Sequence, residues 1–254
     1  MYDHNEKAGN PGDVIKHTAL IAAADVIMQN NNQSFQYADT FAGYAYNPIR
    51  SKGEWQNGIG NISQANIKPS NSAVRFWQSL WQCDEGLPGS VYPGSSTFIR
   101  KLCIKNHLSF NATLWDISPT VISQLMQVYG PDEVEIHPRS ATLCDFYSVK
   151  PDLLLVDPPD LEMIDALLPF FSVAAQVIMW LPILINNGEE THLSKRSFEV
   201  CIQTGLPIIS VYWPATGKMC GCRLVFKLPV AESNALKNAV FDVADLTGWA
   251  VKAE

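Results

Sequence analysis

No stretch of this chain is apolar and long enough to cross a bilayer; the longest apolar runs, such as 177–185, are short or interrupted by proline. The polar opening MYDHNEKAGNPGD lacks the apolar segment of a secretory signal. The expectation is a soluble, cytoplasmic protein without a membrane partner. Positive charge is scarce as well, with 18 Lys and Arg against 25 Asp and Glu and a net charge of −7. That balance excludes a generally basic nucleic-acid coat, so a nucleic-acid partner needs a local basic face. Lys7, Lys16, Arg50, Lys52, Lys68 and Arg75, all in the first third, are its candidates. Cysteine spacing is uninformative: of Cys83, Cys103, Cys144, Cys201, Cys220 and Cys222, only the last two are close, and no histidine cluster accompanies them. Reduced thiols are expected, and no metal site. Repeats and low-complexity tracts are absent.

What is present is a 254-residue chain, 47% apolar and 17% charged, large enough for a substantial core. Asn10 caps, Pro11 suits the first helical position and Asp13 sits in the first turn. Apolar residues from Val14 to Ile27 then keep helical spacing. SFQYAD (34–39) reads as a strand entering the turn Thr40-Phe41-Ala42-Gly43. From Tyr44 to Pro93 the pattern weakens, and Trp55, Trp77 and Trp81 among many polar residues suggest an inserted helical subdomain, with a helix near 73–82. Ser95 or Ser96 caps a helix to Lys105, 112–117 is a strand, and Ser118-Pro119 starts a helix to about Tyr129. Strands follow at 134–137, 152–156 and 176–181, helices at 163–171 and 193–203, and two closing antiparallel strands at 208–213 and 222–228. This alternation predicts an α/β fold: a Rossmann-like, mainly parallel sheet with an antiparallel strand near the C-terminus. The domain reading is one domain over 1–254 with the insertion at 44–93, and a monomer is favoured.

The most specific element is Leu153-Leu-Leu-Val-Asp157-Pro158-Pro159. Prolines cannot continue a ladder, so Asp157 stands at the C-terminal lip of a buried strand, where α/β sheets bind ligands. A carboxylate there, followed by rigid residues, presents fixed acceptors to an exocyclic amine. A methyl donor such as S-adenosyl-L-methionine needs a close-approach turn after the first strand, an acid for its ribose and polar groups for its adenine. Asp39 to Gly43 fits the first need, Asp116 the second and Asp145 the third, although Ala45 leaves a glycine fingerprint incomplete. With Asp157 and a backbone carbonyl accepting both amine hydrogens, the nitrogen lone pair faces the donor methyl.

The opening Tyr2-Asp-His4-Asn-Glu-Lys-Ala8-Gly9-Asn10-Pro-Gly-Asp13-Val-Ile-Lys16-His17-Thr18 resembles that of the bacterial family that methylates N6 of an adenine in 23S ribosomal RNA, once labelled "protein involved in catabolism of external DNA". The similarity continues in order through Tyr37 to Gly43, Tyr92 to Ser95, Asp116 to Pro119, Asp145, Leu154 to Pro159 and Trp180-Leu-Pro182. The resemblance implies a methyltransferase-type Rossmann fold using S-adenosyl-L-methionine. It implies that His17, Ser95, Asp116, Asp145 and Asp157 contact the cofactor and that Asp157 is also the catalytic carboxylate. Tyr2, His4 and Lys16 match the family's N-terminal motif beside the active site and substrate, and Pro158 and Pro159 belong to the substrate side.

Three positions depart from the family. Asp160 stands where an aromatic residue stacks on the flipped-out adenine, Phe41 replaces a cofactor-side histidine, and Phe146 follows Asp145 where glycine is usual and would crowd the adenosine pocket. Tyr44, Tyr46 and Trp180 are the other candidates for a stacking partner. The leading expectation is therefore N6-methylation of adenine in RNA, most specifically 23S ribosomal RNA, with DNA adenine left open. The alternatives are a catalytically impaired relative that binds nucleic acid or cofactor, and a role in the use of extracellular DNA. No nuclease-type metal cluster supports direct hydrolysis.

Overall fold

The computed structural model describes residues 7–30, 33–49, 53–68, 70–82 and 91–254. Tyr2 and His4, like Arg50, Lys52 and Cys83, lie outside the described residues. In chain order the strands are β1 (Ser34–Asp39), β2 (Tyr46–Pro48), β3 (Val91–Pro93), β4 (Ser109–Trp115), β5 (Val134–His137) and β6 (Leu153–Val156). They continue as β7 (Val177–Asn186), β8 (Glu189–Glu190), β9 (Ile208–Thr216), β10 (Met219–Lys227) and β11 (Ala250–Ala253). The helices are α1 (Pro11–Gln29), α2 (Ile59–Gln64), α3 (Ser72–Gln82), α4 (Ser95–Lys105), α5 (Pro119–Val128), α6 (Ile164–Leu167), α7 (Phe170–Val173), α8 (His192–Gln203) and α9 (Val230–Thr247).

The main sheet runs β11-β9-β10-β7-β6-β1-β4-β5, with β8 attached to β7. β5, β4, β1, β6 and β7 pair in parallel, whereas β10 pairs antiparallel with both β7 and β9, and β11 antiparallel with β9. From β1 the chain builds outward through β4 and β5, then crosses back to place β6 on the other side of β1. The strand order therefore reverses between β1 and β6, and a crevice opens outside their C-terminal ends. This is the expected Rossmann-like α/β fold, a mainly parallel sheet with antiparallel strands at one edge.

α1 is buried on most of its surface because the sheet, α4 and α9 enclose it. Asn10 caps it as expected, accepting from the Asp13 N–H at 2.9 Å, and Pro11 occupies the first turn. One layer of core joins α1 and α4 to Phe35, Tyr37, Leu153 and Leu155 on one face of the sheet. A second joins α6, α7 and Cys201 of α8 to Ala38, Leu154, Val156 and Met179 on the other. The alternation along β1 and β6 decides which side chains see α1.

β2 and β3 pair antiparallel and bracket the inserted segment. Its buried Ile59, Ile62, Val74 and Trp77 join the α1-side core. Gly58 sets the contact: a Cβ there would lie 2.1 Å from the Gly9 carbonyl oxygen, which accepts the Ile59 N–H. Only glycine allows the segment to reach the start of α1.

Several boundaries differ from expectation. β4 covers 109–115 rather than 112–117, because residues 109–114 pair with β1 and Trp115 with His137 of β5. The expected helix at 163–171 is two single turns separated at Pro169, which cannot donate the bond that would fuse them. Gly94, not Ser95 or Ser96, is the cap residue of α4, and neither it nor Ser118 of α5 makes a side-chain cap bond. β7 runs on through Pro182, which falls beyond the last β6 pairing at Met179, where that side of β7 has no parallel partner. α9 and β11 lie past the last expected element. Leu236, Ala239, Val240, Val243 and Ala244 carry the helical spacing of α9, and Gly248, at φ +72°, ends it. No described helix is long and apolar enough to cross a membrane.

Candidate active site at the β1–β6 switch point

Asp157 directly follows β6, and Pro158-Pro159 end the strand there. Odd-numbered residues of β6 face α1, and across that gap Lys16 Nζ lies 2.7 Å from Asp157 Oδ2 and 2.8 Å from Asp13 Oδ1. Asp13 Oδ2 also accepts from the Gly9 N–H at 3.0 Å. The lysine side chain is 11% exposed and the carboxylates 22% and 20%, so the triad is half-enclosed rather than a surface pair. Burial opposes the Lys16 charge, but Asp13 and Asp157 outweigh it and raise the ammonium above the ordinary lysine range. Burial likewise pushes the Asp13 carboxyl up, and Lys16 reverses that to hold it low. Lys16 is a fixed cation.

Behind this triad, Asp39 ends β1 with no solvent exposure. Tyr37 OH donates to its Oδ2 at 2.8 Å and the Phe41 N–H to its Oδ1 at 3.1 Å. Burial dominates and lifts this carboxyl to about 7, with Asp157 adding to the rise. His17, one residue from Lys16, is 2% exposed, and both ring nitrogens are engaged: Nδ1 with Tyr92 OH at 2.8 Å and Nε2 with Ser95 Oγ at 3.0 Å. Burial, helped by Lys16, lowers its pKa to about 3, so the ring is neutral. Trp180 is half-buried, with its ring centroid 5.9 Å from Lys16 Nζ.

Asp116 follows β4 and bridges two turns, accepting the Gly43 N–H at 3.1 Å on Oδ2 and the Ser118 N–H at 2.8 Å on Oδ1. A carboxylate has about four acceptor sites, so these bonds leave capacity for hydroxyl donors. Gly43 has φ +63°, a left-handed conformation that favours glycine, and the space where a Cβ would stand is open. A cavity of about 230 Å³ lies alongside, walled by Thr40, Phe41, Leu143, Met163 and Phe170 among others. It adjoins the β1 turn rather than Asp157.

Asp145 is committed to the cavity's rim. Its Oδ1 accepts from Arg139 Nη2 at 2.5 Å, and its Oδ2 accepts from Arg139 Nη1 at 2.9 Å and from Thr142 N and Oγ1 at 2.7 and 3.0 Å. The Arg139 hydrogen bonds, with those from Thr142, hold this carboxyl well below the usual range. Arg139 has no motif signal; only the bend at 137–142 brings it back.

The structure thus brings together Lys16, Asp157, Asp39, His17 and Ser95 around the switch point, with Asp116 and Gly43 one strand over and Asp145 beyond the cavity. Asp160, standing where the family has an aromatic, is exposed and accepts the Glu162 N–H at 2.9 Å, capping the turn 161–163. Phe41 lines the cavity, but Phe146 does not: it is buried between Trp115 and Phe170, both at 5.3 Å between ring centroids. Phe146 thus belongs to the core on the α7 side and not to the lining of this cavity. Tyr44 OH meets Thr120 Oγ1 at 2.9 Å, and Tyr46 is tied through its backbone to Gln124, both on the α5 side. Sequence reasoning missed Asp13, Tyr37, Tyr92 and Arg139 as site supports; Asp13 and Tyr37 carried a signal in their positions beside Lys16 and Asp39.

No family model matches the chain, and no curated protein does. Among solved structures, Legionella pneumophila protein LPL1258, described under family-model DUF519, is 18% identical, with a TM-score of 0.74 and 97% of each chain covered. That likeness is one of fold over the whole length. A putative rRNA-methylase from Clostridium thermocellum aligns more loosely, at 12% identity and a TM-score of 0.39 over 82% of this chain and 96% of that one. A putative RNA methyltransferase from Pyrococcus horikoshii gives 10% identity and a TM-score of 0.42 over 89% and 87%. Scores this low carry no weight for fold or function.

Proposed function

We propose that this protein transfers a methyl group from S-adenosyl-L-methionine to N6 of an adenine in RNA, with 23S ribosomal RNA as the substrate and the cytoplasm as its place of action. The observation that carries the reading is the Asp157 carboxylate at the lip of β6, pinned by Lys16 and followed by two prolines. The donor-side residues fit the cofactor: the face of Gly43 is open to close approach, Asp116 has acceptor capacity for ribose hydroxyls, and the cavity beside Phe41 offers an apolar wall for a purine. Gly43, Asp116 and the loop held by Asp145 would bind the donor, which supplies an electrophilic methyl on a sulfonium.

The remaining chemistry belongs to the chain. Asp157 accepts hydrogen bonds from the extruded adenine's amino group and turns the nitrogen lone pair outward. As the new bond forms, the nitrogen becomes acidic, and the proton passes to the Asp157 carboxylate. Lys16 holds Asp157 in place and, being permanently charged, offsets its charge without acting as a base. Neutral His17 fixes Ser95. Most of the acceleration comes from alignment of nucleophile and methyl.

A second reading, a relative that keeps donor binding but transfers poorly, is favoured by Asp160, since a carboxylate gives up base stacking worth roughly 1–3 kcal/mol. One experiment separates them. Labelled donor is incubated with unmodified ribosomal RNA, DNA and free adenosine, using wild type, Asp157→Ala and Lys16→Ala. Label in RNA that both variants abolish supports transfer; donor binding with no label in any acceptor supports the impaired relative. Full activity in both variants removes the mechanism.

A further inference from the structure

The chain is acidic, but its charge is unevenly spread. Seven of the 18 Lys and Arg fall between positions 50 and 105 together with only three of the 25 acids, leaving eleven bases against 22 acids elsewhere. Two neighbouring helices concentrate this: α3 (SAVRFWQSLWQ) and α4 (SSTFIRKLCIK) hold Arg75, Arg100, Lys101 and Lys105 and no acid. The α4 lysines lean across α3. Lys101 Nζ donates to the Leu80 carbonyl at 3.1 Å, and Lys105 Nζ stands 3.5 Å above the Phe76 ring. Arg75, beside Phe76, is exposed, as are Lys68 before α3 and the Ser72 and Ser79 hydroxyls one turn to either side. Acids at the margin are engaged: Glu133 takes Arg100 at 3.0 Å, Asp25 accepts from Asn106 at 3.2 Å, and Asp242 of α9 accepts the Ala73 N–H of α3.

The ridge also has a bearing on the site. α4 begins at Ser95, which is bonded to His17 next to Lys16, and its 11 residues end at Lys105. At about 1.5 Å per residue the helix runs roughly 16 Å from crevice to ridge, a span of a few nucleotides. We infer that the α3–α4 ridge is the surface on which the RNA backbone docks while one nucleotide enters the crevice, an inference that rests on the RNA-methylation reading above. Phosphates are its complement: the ridge attracts them, whereas the rest of the chain carries twice as many acids as bases. Phe76 and Ile104, the latter 64% exposed, add apolar surface between the cations.

The test uses the full chain and a fluorescent fragment of unmodified 23S ribosomal RNA, with affinity followed by anisotropy across a salt series. Arg75→Gln with Lys105→Gln should weaken binding about tenfold near 0.1 M salt. It should also flatten the slope of log affinity against log salt by roughly 1.5, about 0.7–0.9 per lost phosphate contact. Affinity for S-adenosylhomocysteine should not change. Lys195→Gln with Lys218→Gln, an equal charge change at exposed positions elsewhere, should leave the slope as it was. An unchanged slope in the ridge variant, an equal loss in the control, no RNA binding by wild type, or a ridge effect confined to duplex DNA would each overturn the inference. RNA binding that depends on Arg75 and Lys105 without any methyl transfer would instead sink the methylation reading and leave the surface standing.

Discussion

Replacing Asp39 with Asn should make the protein more stable at alkaline pH and leave it little changed in acid. The carboxyl has no solvent exposure, and its two donors, Tyr37 OH and the Phe41 N–H, do not offset the cost of burying a charge, so it titrates at about 7 rather than 3.8. The folded state therefore keeps a proton that the unfolded chain releases. For an acid raised in this way, the stabilising contribution is complete below about pH 4 and is lost as pH climbs through the folded value. The full span is about three pKa units, or about 4 kcal/mol at 1.36 kcal/mol each. Between pH 5 and 8 the wild type should lose about 3 kcal/mol relative to Asp39→Asn. Urea unfolding followed by circular dichroism at those two pH values measures the difference. Parallel behaviour of the two proteins across the range would refute the placement of a protonated carboxyl behind the active site.

Lys16→Met leaves Asp13 and Asp157 facing each other without their shared cation, and this should cost about 3 kcal/mol in urea unfolding at neutral pH and abolish transfer; an unchanged midpoint would contradict the triad. Arg139→Ala removes two of the bonds to Asp145; the arginine is exposed, so the unfolding midpoint should hardly move. Affinity for S-adenosylhomocysteine, read by calorimetry, should fall several-fold because the cavity rim loosens, and wild-type affinity would show that the rim is held by other means. Asp160→Tyr restores an aromatic beside the prolines and should raise RNA affinity by about tenfold, within the roughly 1–3 kcal/mol of a stacked base. No gain would assign the stack to another ring.

Local signals in the chain were legible where one element suffices to make them. Asn10, Pro11 and Asp13 announce α1, and the collision of an apolar run with Asp157-Pro158-Pro159 announces the lip of β6. What stayed hidden depends on partners far away in sequence. Lys16 meets Asp157 across 141 positions, and His17 finds Tyr92 and Ser95 only because β3 and α4 return to α1. The reach of β4 and β7 is set by which neighbours remain to pair, not by their own residues. Asp160 was readable as a departure, but its role as a turn cap needed the Glu162 N–H to be placed. The hold of Arg139 on Asp145 needed the bend between them.

The central claim is that Asp157 takes the amino group of an RNA adenine while a methyl is delivered to it. Ribosomal RNA treated with labelled S-adenosyl-L-methionine and the protein, then digested to nucleosides, tests this most directly. The account predicts that label elutes with N6-methyladenosine and vanishes with Asp157→Asn. Label in any other nucleoside, or undiminished N6-methyladenosine from the variant, would contradict it.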